Sequence, residues 1–161
     1  MGFSKFCEAN GIDFVSTKVG DRYVLESMLQ NGYNIGGEQS GHIIFLDHST
    51  TGDGELSGAM VLSIMKRTGE KLSDLAKIME RYPQVLINVK VSNEGKLSFY
   101  TDKEVKAEIN RVTEILGDTG RILVRVSGTE PLVRVMLEGE NLEQIQTLAE
   151  EAAQVVRERL A

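Results

Sequence analysis

Between Val85 and Ser92 the chain alternates. Val85, Ile87, Val89 and Val91 are apolar, while Asn88, Lys90 and Ser92 are polar, and Leu86 is the exception on the polar side. A period of two puts every second side chain on one face of a strand. Upstream of Pro83 the period is helical. A short helix is expected over residues 2 to 9, with Phe3, Phe6 and Cys7 on one face and Asn10-Gly11 ending it. Ile12 to Ser16 reads as a short strand. A helix over 21 to 31 carries Val24, Leu25, Met28 and Leu29, and Ile43 to Leu46 is an apolar strand. A helix opens at Thr50–Gly54 and runs to about Arg67, where Thr68-Gly69 breaks it. Its Ala59, Met60, Leu62, Ile64 and Met65 form a face broad enough for a well-buried element. Leu72, Leu75, Ile78 and Met79 predict a further helix over 72 to 81.

Arg81-Tyr82-Pro83 marks the change of period, and proline disfavours helix at the residue before it. Two domains are therefore expected, 1–82 and 83–161. In the second, Asn93-Glu94-Gly95 reads as a turn, and Thr101 caps a helix with Glu104 completing a capping box. That helix carries Val105, Ile109, Val112 and Leu116. Strands follow at Ile122–Val126 and Leu132–Leu137, and Asn141, with Gln144 three residues on, starts the last helix. The order is β-α-β-β-α, an α+β domain with both helices on one face of a small sheet. The first domain is α/β. Such a unit normally leads with a strand, whereas this chain leads with a helix, so the first domain is expected to be N-terminally truncated, with a sheet edge that could pair with a second copy.

Composition narrows the classes. The chain has 161 residues and a formal net charge of −6, which argues against a general nucleic-acid or membrane surface. Its one cysteine, Cys7, precludes an internal disulfide and fits a reducing compartment. No secretory leader or bilayer-length apolar run is legible, so a cytoplasmic location is expected.

Two polar runs interrupt the apolar pattern. One is Arg125-Val126-Ser127-Gly128-Thr129-Glu130-Pro131-Leu132-Val133-Arg134, set between two strands. A glycine there can take φ > 0, and successive N–H groups form an anion-binding concavity. Ser127 and Thr129 add hydroxyls, and Arg125 and Arg134 add guanidinium forks that match phosphate oxygens. The residues alone leave two readings, a phosphate clamp and a hairpin turn flanked by solvated arginines. The other run is Gly36-Gly37-Glu38-Gln39-Ser40-Gly41-His42, whose glycines allow a tight turn and a close approach to a ligand. Glu38 can accept from two vicinal hydroxyls and Ser40 can donate or accept, the mix that polyol recognition needs. His42 opens an apolar strand, where a histidine is usually structural. It has no carboxylate or second histidine at ligand spacing, so no metal site is assigned.

Together these runs resemble the α-D-phosphohexomutase superfamily, and within it the phosphoglucosamine mutases. In that family a G-E-x-S-G-H loop of the third domain contacts sugar hydroxyls, and an R-x-S-G-T-E-P-x-x-R loop of the fourth grips phosphate. Thr17–Val24 and Thr50–Gly54 look like the same family, and the resemblance runs from Gly2 to the C-terminus. It implies sugar-binding roles for Gly37, Glu38, Ser40 and Arg22, and phosphate-binding roles for Arg125, Ser127, Gly128, Thr129 and Arg134. His42 would position reacting groups or handle a proton. For Arg22 an ordinary surface position is the competing reading.

The resemblance also implies interconversion of glucosamine 6-phosphate and glucosamine 1-phosphate. A phosphoserine would phosphorylate the sugar, the bisphosphate would reorient, and the other phosphate would return to the serine. The family's Ser-His-Asn-Pro and D-G-D-x-D-R strings are absent here. The chain thus reads as a C-terminal piece, most of domain three and all of domain four. Mg²⁺ would be bound outside it, on the missing N-terminal domains, and no metal or cofactor would be bound by the chain itself. Weak phosphosugar binding without turnover is expected of it alone. Gln39 and the Ser-Gly-Thr-Glu-Pro string favour the phosphoglucosamine branch. A phosphomannomutase or phosphoglucomutase would more often carry G-E-M-S-G-H and S-N-T-T-P. A third reading is a non-enzymatic phosphosugar-binding module.

Overall fold

A computed structural model describes residues 1–161. Two compact units are present, one of Cys7–Met79 and the other of Met1–Phe6 together with Glu80–Ala161. Elements occur in the order α1 (Gly2–Ala9), α2 (Asp21–Asn31), β1 (Ile35–Gly37), β2 (Ile43–Phe45), α3 (Gly54–Thr68) and α4 (Leu72–Leu75). They continue with β3 (Gln84–Lys90), α5 (Asn93–Ser98), α6 (Lys103–Leu116), β4 (Gly120–Val126), β5 (Leu132–Gly139) and α7 (Leu142–Leu160).

The C-terminal unit is an antiparallel sheet of order β3-β5-β4 covered on one face by α6 and α7. Its alternation becomes three cross-strand rows: Val85/Leu137/Ile122, Ile87/Val135/Val124 and Val89/Val133/Val126. All nine side chains belong to the core or pack against it, beside Val105, Val112 and Leu116 of α6 and Ile145, Leu148, Ala149, Ala152 and Val156 of α7. The intervening residues occupy the other face, where Leu86, Met136 and Leu123 make one row and Asn88, Arg134 and Arg125 the next. The Asn141 side chain caps α7 by accepting from Gln144 N at 3.0 Å.

Two details of this unit differ from the sequence expectation. Residues 93–95 begin helix α5, because Ser92 Oγ accepts from Gly95 N at 2.9 Å and so caps one turn. Asp102, and not Thr101, caps α6. Its carboxylate accepts from both Glu104 N and Val105 N at 2.9 Å, and two bonds to one anion at a helix N-terminus outweigh a single hydroxyl.

The N-terminal unit is leaner. Its strands form one short hairpin with Gly36 opposite Ile44. A side chain at Gly36 would collide with Val24 and Met28 of α2, which explains the glycine. Ile12–Ser16 is not a strand: the segment finds no neighbour to share a ladder with. Helix α4 stops at Leu75 instead of continuing to 81. Lys77 N bonds Asp74 O three residues back, and the tightened turn ends the helix. Asp53 caps α3 through Glu55 N and Leu56 N, but α3 buries none of its residues. The broad apolar face read from Ala59 to Met65 is there, and Leu62 is 65% exposed.

Candidate functional site

The hairpin loop between β1 and β2 carries Glu38, Ser40 and His42. Gly41, at φ +97°, lets the chain reverse, and the turn closes through Gly41 N to Glu38 O at 3.0 Å and Glu38 N to His42 O at 2.9 Å. Glu38 Oε1 accepts from Gly20 N at 2.8 Å, in the turn that opens α2. A carboxylate at a helix N-terminus is favoured by the helix dipole. Its second oxygen lies 3.4 Å from Ser40 Oγ and 3.9 Å from His42 Nδ1. Ser40 Oγ is in turn 3.0 Å from His42 Nδ1. Acceptor, hydroxyl and imidazole thus form one connected group with Ser40 and His42 exposed. Gly37 stands opposite Ile43 at the base of the hairpin. Of the residues proposed for the sugar, Arg22 is the one not drawn into this group. Its guanidinium bonds Glu26 Oε1 at 2.8 Å, and that bond first of all raises its pKa from the ordinary value.

The second group lies between β4 and β5. Register sets Arg125 directly opposite Arg134, on the sheet face that the helices leave uncovered. Directly opposed residues of an antiparallel pair sit about 5 Å apart at Cβ, and like charges there are destabilising. Glu130 Oε2 takes Arg134 Nη2 at 2.7 Å and offsets one charge. The Arg125 guanidinium has no hydrogen bond or ion pair. Arg134 Nε is buried without a partner. Ser127 is the buried polar residue of the chain, 4% exposed, and its hydroxyl accepts from Glu130 N at 3.2 Å. The amides of Gly128 and Thr129 donate to no protein acceptor.

Gly128 does not adopt a left-handed φ, contrary to the expectation for the turn, and a Cβ there would meet nothing within 4 Å. Neither backbone conformation nor crowding by the chain demands that glycine. Two residues of this group escaped the sequence reading. Lys96 Nζ donates to Glu130 O at 3.0 Å from a helix over thirty positions upstream, and Glu130 read as part of a turn. No linear signal links Lys96 to the loop, whereas Glu130 and Arg134, four positions apart, are opposite charges within reach of one another at a strand end.

The comparisons with known proteins bear on both groups. Residues 1–82 match the family model for phosphoglucomutase/phosphomannomutase, alpha/beta/alpha domain III. Residues 86–155 match that for the phosphoglucomutase/phosphomannomutase C-terminal domain. The chain belongs to the phosphoglucomutase/phosphomannomutase family. Within that family it is 52% identical over 160 residues to a phosphoglucosamine mutase of Caldanaerobacter subterraneus, covering 99% of this chain and 36% of the relative. It is 51% identical over 161 residues to the phosphoglucosamine mutase of Clostridioides difficile, again covering 36% of that protein. The chain thus spans about a third of the length of the curated relatives it matches. An Aspergillus fumigatus N-acetylphosphoglucosamine mutase shares the fold, with a TM-score of 0.84 at 19% identity over 98% of this chain and 36% of that one. A phosphoglucomutase/phosphomannomutase family protein of Burkholderia thailandensis does so at 0.72 and 21% identity, covering 99% of this chain and 36% of its own.

The chain's residues do not fit a Mg²⁺ site, because no three His, Cys, Asp or Glu side chains converge on one point. No helix is long and apolar enough to cross a membrane.

Proposed function

We propose that the chain supplies the sugar-binding and phosphate-binding parts of a phosphoglucosamine mutase, an enzyme that interconverts glucosamine 6-phosphate and glucosamine 1-phosphate. The observation that carries the reading is the unpaired Arg125 set opposite Arg134, beside two free amides and a glycine with open space above it. Two neighbouring cations cost stability in the free protein, and a phosphate dianion converts that cost into binding. Arg125 and Arg134 grip the oxygens, and the amides of Gly128 and Thr129 complete the cradle with the Thr129 hydroxyl. Glu38 and Ser40 accept sugar hydroxyls, Gly37 keeps the hairpin open to them, and His42 orients Ser40 or passes a proton from it. Arg22 reaches this ligand only by leaving Glu26.

In the reaction, a phosphoserine gives its phosphoryl group to the free hydroxyl of the sugar phosphate. The bisphosphate turns, and its other phosphoryl group returns to the serine. The clamp's task is to hold whichever phosphate is not reacting, so catalysis draws on positioning and charge from this chain. No Ser-His-Asn-Pro string and no Mg²⁺ ligand set occur in it, so binding without turnover is the outcome we assign to the 161-residue chain alone. The serine and metal ligands would come from further domains of the same enzyme, and a homodimer is the other partner we consider.

The test is calorimetric titration with glucosamine 6-phosphate. Each charge-assisted hydrogen bond contributes about 1.5–3 kcal/mol, so Arg125→Met weakens binding by about tenfold or more. Unchanged affinity in that variant would refute the clamp.

A further inference from the structure

Glu130 occupies one of the two arginines of the proposed clamp. Its Oε2 is 2.7 Å from Arg134 Nη2, and its side chain is half exposed while that of Arg134 is 31% exposed. The loop that carries it is fixed at several points. Glu130 N donates to Ser127 Oγ at 3.2 Å, and Glu130 O accepts from Leu132 N at 2.8 Å and from Lys96 Nζ at 3.0 Å. Ser127 N donates in turn to Leu132 O at 2.8 Å. A carboxylate on so short and pinned a tether acts as an intramolecular ligand at high effective concentration. It also holds Arg134 in a pose that wastes a donor, since Nε is buried and unpartnered. A buried unpaired donor costs free energy, and a guanidinium that swung to present two N–H groups to one anion would recover it.

We infer that Glu130 is a built-in competitor of the substrate phosphate: its carboxylate fills Arg134 while the clamp is empty, is displaced when phosphate binds, and takes the arginine back as phosphate leaves. The inference rests on the phosphate-clamp reading above and adds a function to it. A clamp that must release one phosphate and accept another as the sugar turns gains from a ligand that replaces the departing anion. Two arginines left bare at each turnover would otherwise repel one another and slow release. Glu130 is in this sense a specificity- and release-determining residue that acts through Arg134, and Arg125 is the cation kept permanently available.

The experiment is a double-mutant cycle on the full 161-residue chain with inorganic phosphate as the probe, read from the Gly128 and Thr129 amides by NMR. Glu130→Gln keeps the size of the side chain and removes its charge. An exposed ion pair contributes up to about 1 kcal/mol, so Glu130→Gln binds phosphate about fivefold tighter than the parent chain. In an Arg134→Met background the same change brings less than about twofold, because there is no arginine for the carboxylate to occupy. Equal or weaker binding by Glu130→Gln would overturn the inference. A full gain that persists with Arg134→Met would also overturn it, by showing general repulsion instead of competition for the arginine. If inorganic phosphate moves neither amide in any of the four proteins, the clamp reading fails, and the inference falls with it.

Discussion

The two units solve the same problem, holding a polar loop in place, by different means. The C-terminal unit mounts its loop on two fully paired strands whose other face is a closed core of valine, leucine and isoleucine. The N-terminal unit mounts its loop on a hairpin of three residues a side, with Ile44 and Met28 buried nearby and α3 buried nowhere. There the loop is fixed by polar contacts, chiefly Glu38 on Gly20 N and Ser40 on His42. Burial of apolar surface is the larger stabilising term, at about 25 cal/mol per Å². The difference therefore says that the β4–β5 loop is held by a packed core and the β1–β2 loop mainly by polar contacts. Local stability follows the density of buried apolar contacts, so the β1–β2 loop should open more readily.

The largest effect that could break this contrast is in the core. Leu137, fully buried beneath α7, should cost about 2–5 kcal/mol as Leu137→Ala. The same change at Leu62 on α3 should stay within about 0.5 kcal/mol. Urea unfolding followed through NMR signals of each unit checks both. A loss at Leu62 comparable with that at Leu137 would mean that α3 is buried after all, and the contrast would vanish.

Acid supplies a smaller effect, through two carboxylates of the C-terminal unit. The Val105 amide and the Arg159 guanidinium hold the Asp102 carboxyl below its ordinary value. The Arg111 guanidinium does the same for Glu108, against the opposing effect of burial. A carboxylate whose pKa is lower folded than unfolded contributes stability that is complete above the unfolded value, near pH 4. That stability drains as pH falls through the folded value. The urea midpoint of this unit should fall between about pH 5 and pH 3, and Glu108→Gln should make the fall shallower. A midpoint flat across that interval in the parent chain would contradict the assignment.

Much of the C-terminal unit could be read from the chain because its patterns are local and mutually consistent. The alternation from Val85 to Val91 gave the inward face of β3, and the helical spacing from Ile145 to Val156 gave the buried stripe of α7. Two departures show what local pattern cannot decide. Thr101 and Asp102 are adjacent cap formers, and geometry decided between them. Ile12–Ser16 has strand-like residues, but a strand needs a partner, which residue pattern does not reveal. The candidate groups were legible as loops but not as arrangements. Register, which no residue type discloses, put Arg125 across from Arg134. Glu38 meets Gly20, and Glu130 meets Lys96, across long separations in sequence.

Both loops are expected to bind their share of a phosphosugar in the 161-residue chain. An amide NMR titration with glucosamine 6-phosphate and, separately, inorganic phosphate tests it most directly. Gly128 and Thr129 should shift with both ligands, and Glu38 to Ser40 with the sugar phosphate alone. Glucosamine 6-phosphate leaving both loops unmoved, or shifting only residues elsewhere, would mean that neither loop binds it.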